Sequence, residues 1–269
     1  VFAAASPSLV SVGAAATAAA AIALGAHRAR ALSTSGAVAA FATGTLAMSA
    51  GSPWGAYLVA WFVSASLLSR LGRAAKQSRT ADMVEKGDQR DAGQVFANGG
   101  AFAACALVAL LFPAWRAWAA LAAAGALAAA GADTAATETG TLWGGTPWSL
   151  RTRARATPGS SGAVSLAGSV GMAVAAALLG VLAAVLRLVP WDAAAVVAYA
   201  GLCGALVDTV LGAWLQARRW CPSCARETEQ PVHRCGSATA PSGGVAWLTN
   251  DRVNLLCTLA GAAVAVALR

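Results

Sequence analysis

The chain has 269 residues, 58% of them hydrophobic and only 11% charged, with a mean hydropathy of +0.63. A soluble domain carries about a quarter charged residues, so this composition excludes a large water-facing surface. The net charge of +8 does not point to nucleic acid, because the sequence shows neither aromatic platforms nor a recognisable nucleic-acid-binding fold.

Apolar runs of about 20 residues, enough to cross a roughly 30 Å hydrocarbon core, recur along the chain. Spans are expected over residues 9–26, 36–50, 54–71, 95–112, 115–132, 164–189, 193–215 and 253–268. The second is short and rich in Ala and Gly. Backbone polar groups find no water in lipid, so each span is expected to be a helix. The predicted class is therefore an all-α, polytopic transmembrane bundle of about eight spans, a single domain over residues 1–269. The first span lacks a charged leader and a cleavage site and reads as retained.

With eight spans, 16 of the 19 Lys and Arg fall on one side, leaving only Arg116, Arg187 and Arg269 on the other. Positive loops stay cytoplasmic, so both termini are predicted outside. Insertion alone accounts for most of this basic face.

Charge inside a membrane is costly and marks candidate sites. Ten of the eleven acids lie on the basic side or at helix ends opening there, Asp192 being the exception. Entering the fourth span, Arg90, Gln94 and Asn98 recur at i, i+4 and i+8 and share a helix face, with Asp91 beside them. Such a stripe needs a wet cavity or an interhelical partner.

At the end of the fifth span, Asp133 and Glu138 would stand about 140° apart in a straight helix. They converge only if the helix loosens at the neighbouring Gly and Thr residues; together they suit a hard cation such as Mg²⁺. The segment Pro158-Gly159-Ser160-Ser161-Gly162, with Ser165, opens the sixth span. Small residues at a helix N-terminus expose N–H groups to an anion, although the same residues describe any tight turn.

In the seventh span Gly201, Gly204, Asp208 and Gly212 form one face that Gln216 continues. Small residues admit a neighbouring backbone, so this helix is expected at the centre, aiming Asp208 at partners. Asn250, Asp251 and Asn254 open the last span.

Between these lies a cytoplasmic loop, residues 217–249, carrying Cys221-x2-Cys224 and His233-x-Cys235. Three thiolates and an imidazole suit tetrahedral Zn²⁺, and disulfides are disfavoured in that compartment. Cys105, Cys203 and Cys257 fall in spans and read as packing residues.

Five motifs then stand in order: Lys86-Gly87-x2-Arg90-Asp91-x2-Gln94-x3-Asn98-Gly99, Ala132-Asp133-Thr134-x3-Glu138-x-Gly140, Pro158-Gly159-Ser160-Ser161-Gly162-x2-Ser165, Gly204-x3-Asp208-x3-Gly212-x3-Gln216, and Asn250-x3-Asn254. Over essentially the whole chain they resemble the phytyl-phosphate kinase and transmembrane protein 19 family, labelled domain of unknown function 92. Ser160 and Thr137 each stand where the family pattern has the other hydroxyl residue, so the chemistry is kept.

The resemblance implies an isoprenoid monophosphate kinase that passes the γ-phosphoryl of a nucleoside triphosphate, CTP by analogy with polyprenol kinases, to a lipid phosphate. Lys86, Arg90, Asp91, Asp133 and Asp208 are then the expected catalytic residues. Asp133, Glu138 and Asp208 are the Mg²⁺ ligands, directly or through water. Gln94, Asn98, Gly159, Ser160, Ser161, Gly162, Ser165, Gln216, Asn250 and Asn254 bind substrate. The expected partners are the two substrates and membrane lipid, with no nucleic acid; a homo-oligomer is left open. A cytidylyltransferase would use the same groups, whereas a transporter should place polar residues at the midplane.

Overall fold

The computed structural model describes residues 9–83 and 89–269. Among the described residues nine α-helices carry the fold: α1 Leu9–Arg28, α2 Thr34–Ala50, α3 Ser52–Arg70, α4 Arg73–Thr80, α5 Ala92–Leu111, α6 Arg116–Trp143, α7 Leu166–Val185, α8 Ala194–Trp214 and α9 Asn250–Ala267. All but α4 coincide with an expected span. Among the described residues four segments are long and apolar enough to cross a bilayer: Ala92–Leu111, Pro113–Trp143, Leu166–Val185 and Trp191–Trp214. The pair α3 and α4, bent by 72°, adds a fifth when taken as one broken span. The 17-residue α2 is rich in Ala and Gly, and α9 opens on Asn250-Asp251-Arg252.

Helix starts follow the local sequence. Ser33 caps α2 by accepting from the Gly36 N–H, and Ser165 caps α7 through Gly168. Asp91 and Gln94 form a reciprocal capping box at the start of α5. The bend between α3 and α4 falls at Gly72, which has φ +61°. A side chain there would also meet Leu142 at 2.4 Å, so both conformation and space favour glycine.

The expectation that the seventh span is central needs correction. The centre is α6, where every residue from Ala123 to Ala132 is buried, packed by α5, α7, α8 and α9. Its alanines let neighbours come close. A Cβ on Gly125 would stand 2.5 Å from the Gly261 carbonyl oxygen, and one on Gly204 would stand 2.4 Å from the Ala129 Cβ. Small residues thus bring the α6, α8 and α9 backbones into contact. Trp54, Tyr57 and Phe102 fill the wider gap toward α3 and α5, with the Tyr57 hydroxyl donating to the Leu179 carbonyl at 3.2 Å.

Helix α6 also runs unbroken to Trp143. The expected loosening after Ala132 does not occur: Thr134 and Thr139 turn their hydroxyls onto the Ala130 and Ala135 carbonyls without interrupting the helix.

The fold is mostly helical, as expected, and among the described residues two small antiparallel sheets accompany the helices. Strands β1 Trp148–Ser149, β2 Ala154–Arg155 and β3 Ala163–Val164 lie in the order β2-β1-β3. Strands β4 Arg218–Cys221, β5 Arg226–Thr228 and β6 Ala240–Gly243 follow in the order β5-β4-β6. Both sit in loops of the basic side. At the other end Arg116 donates to the Ala50 carbonyl and Arg269 pairs with Asp192 at 2.9 Å.

Candidate phosphate site and metal cluster

The polar motifs converge on one cavity of about 860 Å³. Arg90, Gln94, Asn98, Asp133, Glu138, Gly159, Ser160, Ser161, Gly162, Ser165, Asp208, Gln216, Asn250 and Asn254 all line it. They come from the starts of α5, α7 and α9, the ends of α6 and α8, and the turn before α7. Lys86 lies outside the described residues.

Arg90 is fixed before α5 begins. Its N–H donates to the Ala31 carbonyl, and its carbonyl accepts from Ser33, both at 3.1 Å. The guanidinium lies 5.9 Å from the Trp61 ring centre and 5.6 Å from that of Phe62, an arrangement that supports a cation on aromatic faces. Burial lowers its pKa, and the nearby charge of Glu138 opposes that shift. Arg90 and Gln94 also line a second, apolar pocket of about 60 Å³ between α1, α2, α3 and α5.

Asp91 serves the start of α5. It does not line the cavity: its carboxylate accepts from the Gln94 N–H at 2.9 Å, and the Gln94 side chain accepts from the Asp91 N–H at 3.2 Å. Capping uses these atoms, so Asp91 shapes the helix that presents Gln94 and Asn98. Asn98 donates back to the Gln94 carbonyl at 3.0 Å.

Among the acids, Glu138 stands apart. It pairs with Lys76 of α4, whose ammonium also donates to the Leu68 and Ser69 carbonyls at 2.9 and 2.8 Å. Lys76 therefore satisfies the open C-terminal end of α3 while holding Glu138. Arg79 does the same for α6, reaching the Thr141 and Leu142 carbonyls at 2.8 Å each. Asp133 and Asp208 are close enough for their charges to act on one another, and Glu229 adds to the same field. The Oδ2 of Asp208 is buried with no hydrogen-bond partner among the described residues, as a carboxylate kept ready for a cation would be. Two neighbouring carboxylates, Asp133 and Asp208, suit a hard divalent ion whose remaining positions go to water and phosphate oxygen.

The turn before α7 is shaped for close approach. Gly162 has φ +70°, and a Cβ on it would lie 2.3 Å from the Ala213 backbone. That contact seats the turn on the end of α8, beside Asp208 and Gln216. Ser161 donates to Glu229, which also accepts from the Gln216 amide at 2.9 Å.

Sequence reading missed several residues lining this cavity: Lys76, Glu229 and the basic group Arg30, Arg70 and Arg73. The cations had already been explained by topology, and Glu229 lies in a loop with no motif around it. Only the position of Lys76 four residues after Gly72 hints at a turn back over α3.

The sulfurs of Cys221, Cys224 and Cys235 and a ring nitrogen of His233 lie within 4.8 Å of one another. Cys221 and Cys224 flank the turn between β4 and β5. Tetrahedral Zn²⁺ with Zn–S near 2.3 Å places its sulfurs about 3.8 Å apart, and the Cys221 and Cys235 sulfurs stand at 3.6 Å. His233 Nδ1 is 3.2 Å from the Cys235 sulfur, while its Nε2 faces the Asp82 carboxylate at 3.7 Å. A carboxylate behind a ligating histidine is the usual support for a metal. The bond with His233, helped by Ser237, lowers the Cys235 pKa to about 6, whereas Cys224, hydrogen-bonded to Cys235 and desolvated, is raised to about 11. The residues present fit a divalent metal.

The sequence matches the family model described as integral membrane protein DUF92 over residues 17–262. It is 26% identical to Protein PGR of Arabidopsis thaliana across 256 residues, 87% of each chain. It is 28% identical to an uncharacterized membrane protein of Synechocystis, sll0875, across 217 residues, 79% of this chain and 73% of that one. No solved structure matches.

Proposed function

The chain belongs to the DUF92 family of integral membrane proteins, and from that footing we propose that it is a membrane-embedded isoprenoid monophosphate kinase. All eight long helices are read as spans, with both termini outside and the cavity toward the cytoplasm. The observation that carries the activity is the junction at Arg90 and Gln94, which line both the polar cavity and the apolar pocket. A lipid phosphate needs such a junction. Its anionic head lies with Arg90, its first carbons enter the pocket between α1, α2, α3 and α5, and the remaining tail stays in lipid.

The acceptor phosphate is already an anion, so no general base is required. One of its oxygens bonds to the γ-phosphorus of the donor, the bond to the β–γ bridging oxygen breaks, and the nucleoside diphosphate departs with that electron pair. Arg90 and Lys86 neutralise phosphate charge, and the Gly159–Gly162 turn offers backbone N–H groups at the start of α7. Gln94, Asn98, Asn250 and Asn254 orient the two substrates, and Ser165 and Gln216 hold the cavity's shape. Asp133 and Asp208 are the residues to hold Mg²⁺, which supplies charge neutralisation between the phosphates. Glu138, already engaged by Lys76, contributes through water. Zn²⁺ at the Cys/His cluster is structural.

The test uses purified protein, Mg²⁺, γ-labelled CTP or ATP, and a panel of prenyl monophosphates. Label in a lipid diphosphate, with nucleoside diphosphate released, supports the kinase. Release of pyrophosphate with a CDP-lipid identifies a cytidylyltransferase instead. No transfer to any acceptor overturns both.

A further inference from the structure

The Cys/His loop is tied to the cavity at two points. On one side Asp82, just beyond α4, faces His233 and pairs with Arg226 and Arg234. The same contact is extended by backbone and amide bonds: Glu229 N–H to the Met83 carbonyl and the Gln230 amide to the Ala81 carbonyl, each at 3.0 Å. On the other side Glu229, one residue beyond β5, reaches into the cavity and accepts from both Ser161 and Gln216. Ser161 belongs to the glycine turn and Gln216 to the end of α8, so one carboxylate joins two walls of the site.

Glu229 lies four residues before His233 and immediately after β5, whose partner strand β4 ends on Cys221. Its position is therefore set by the same few residues that gather the four potential metal ligands. A loop of this size, with little apolar core, depends on a bound metal for its shape.

We propose that the Cys/His loop is a metal-braced arm of the site, in which a zinc-class divalent ion on Cys221, Cys224, His233 and Cys235 holds Glu229 against Ser161 and Gln216. Glu229 is thereby a positioning residue for the phosphate-binding turn, acting through its two hydrogen bonds. The proposal rests on reading the cavity as a phosphate site, but its consequences can be measured without turnover.

The experiment measures metal content and amide hydrogen exchange across residues 157–165 in full-length protein in detergent. Wild type is expected to carry one zinc per chain. Stripping that zinc with a chelator, or replacing Cys224→Ser, speeds exchange in the turn about ten-fold, the change expected for losing one hydrogen bond to a charged group. Glu229→Ala keeps the zinc yet shows the same faster exchange and weaker binding of the donor nucleotide. Glu229→Gln, whose carbonyl oxygen still accepts from Ser161 and Gln216, restores most of the protection. Wild type without bound zinc overturns the proposal, as does a turn whose exchange is indifferent to chelation. Coupling between metal and turn in a protein that transfers no phosphate would sink the kinase reading while leaving this one standing.

Discussion

Replacing Lys76 by methionine should be among the most damaging single changes outside the α6 core, although position 76 lies in a loop helix. The side chain is 8% exposed and its ammonium meets Glu138 and the last carbonyls of α3. Methionine keeps the volume and removes the charge, leaving Glu138 and two carbonyls short of a donor. Breaking a buried pair costs about 3–5 kcal/mol. Glu138 is still 19% exposed and Arg90 lies in its field, so the lower end, about 3 kcal/mol, is expected. Glu138→Gln alone should cost about 2 kcal/mol, because Lys76 keeps its carbonyls. The double variant should fall short of the sum by about 1.5 kcal/mol, the coupling expected of residues in contact. Thermal unfolding in detergent, followed through the 10 tryptophans, reads this directly, with a loss of roughly 6–12 °C for Lys76→Met. Simple additivity, or a Lys76→Met protein as stable as wild type, would refute the argument that this pair joins α4 to α6.

Asp208→Asn should preserve folding while lowering Mg²⁺-dependent transfer by at least about a hundred-fold, the scale of losing a charge-positioning group; near-normal turnover would remove Asp208 from the ion site. Gly162→Ala forces a Cβ to within 2.3 Å of the α8 backbone at φ +70°, so it should displace the turn and raise the donor KM far more than it alters thermal stability. Arg90→Lys keeps the charge but loses the planar contact with Trp61 and Phe62, and is expected to weaken lipid phosphate binding about ten-fold. Equal affinity for that variant would mean that a point charge is enough.

Much of the site was legible in the sequence because helices repeat. Gln94 and Asn98 stand one turn apart on α5, and Asp208 shares its face with glycines, so each stripe announced a polar wall. Arg90, expected on the same helix face, instead lies before α5 in an extended bridge to Leu32 and reaches the cavity from there. The Cys/His spacing foretold the cluster because a tetrahedral ion needs short-range pairs. The capping role of Asp91 was hidden because a capping acid and a catalytic acid look alike before Gln94 is seen to answer it. The place of α6 was hidden since an alanine run gives the same hydropathy at the centre as at the lipid face. Glu138 and Lys76 lie 62 positions apart, and Asp82 and His233 are farther still. No local pattern encodes such meetings; they follow from how Gly72 turns the chain.

The backbone contact among α6, α8 and α9 has a mechanical consequence. Where Gly125 faces Gly261 and Gly204 faces Ala129, no side chain lies between the helices to change rotamer, so these three cannot slide without losing contact outright. The acids on α6 and α8 stand at the end of this stiff keel, which holds their spacing. Yielding is left to α3, which meets α6 through larger side chains, and to α1 and α2, which pack on one another and on α5 and border the apolar pocket. The apolar pocket thus lies on the compliant flank, while the acids that line the polar cavity stand on the stiff side.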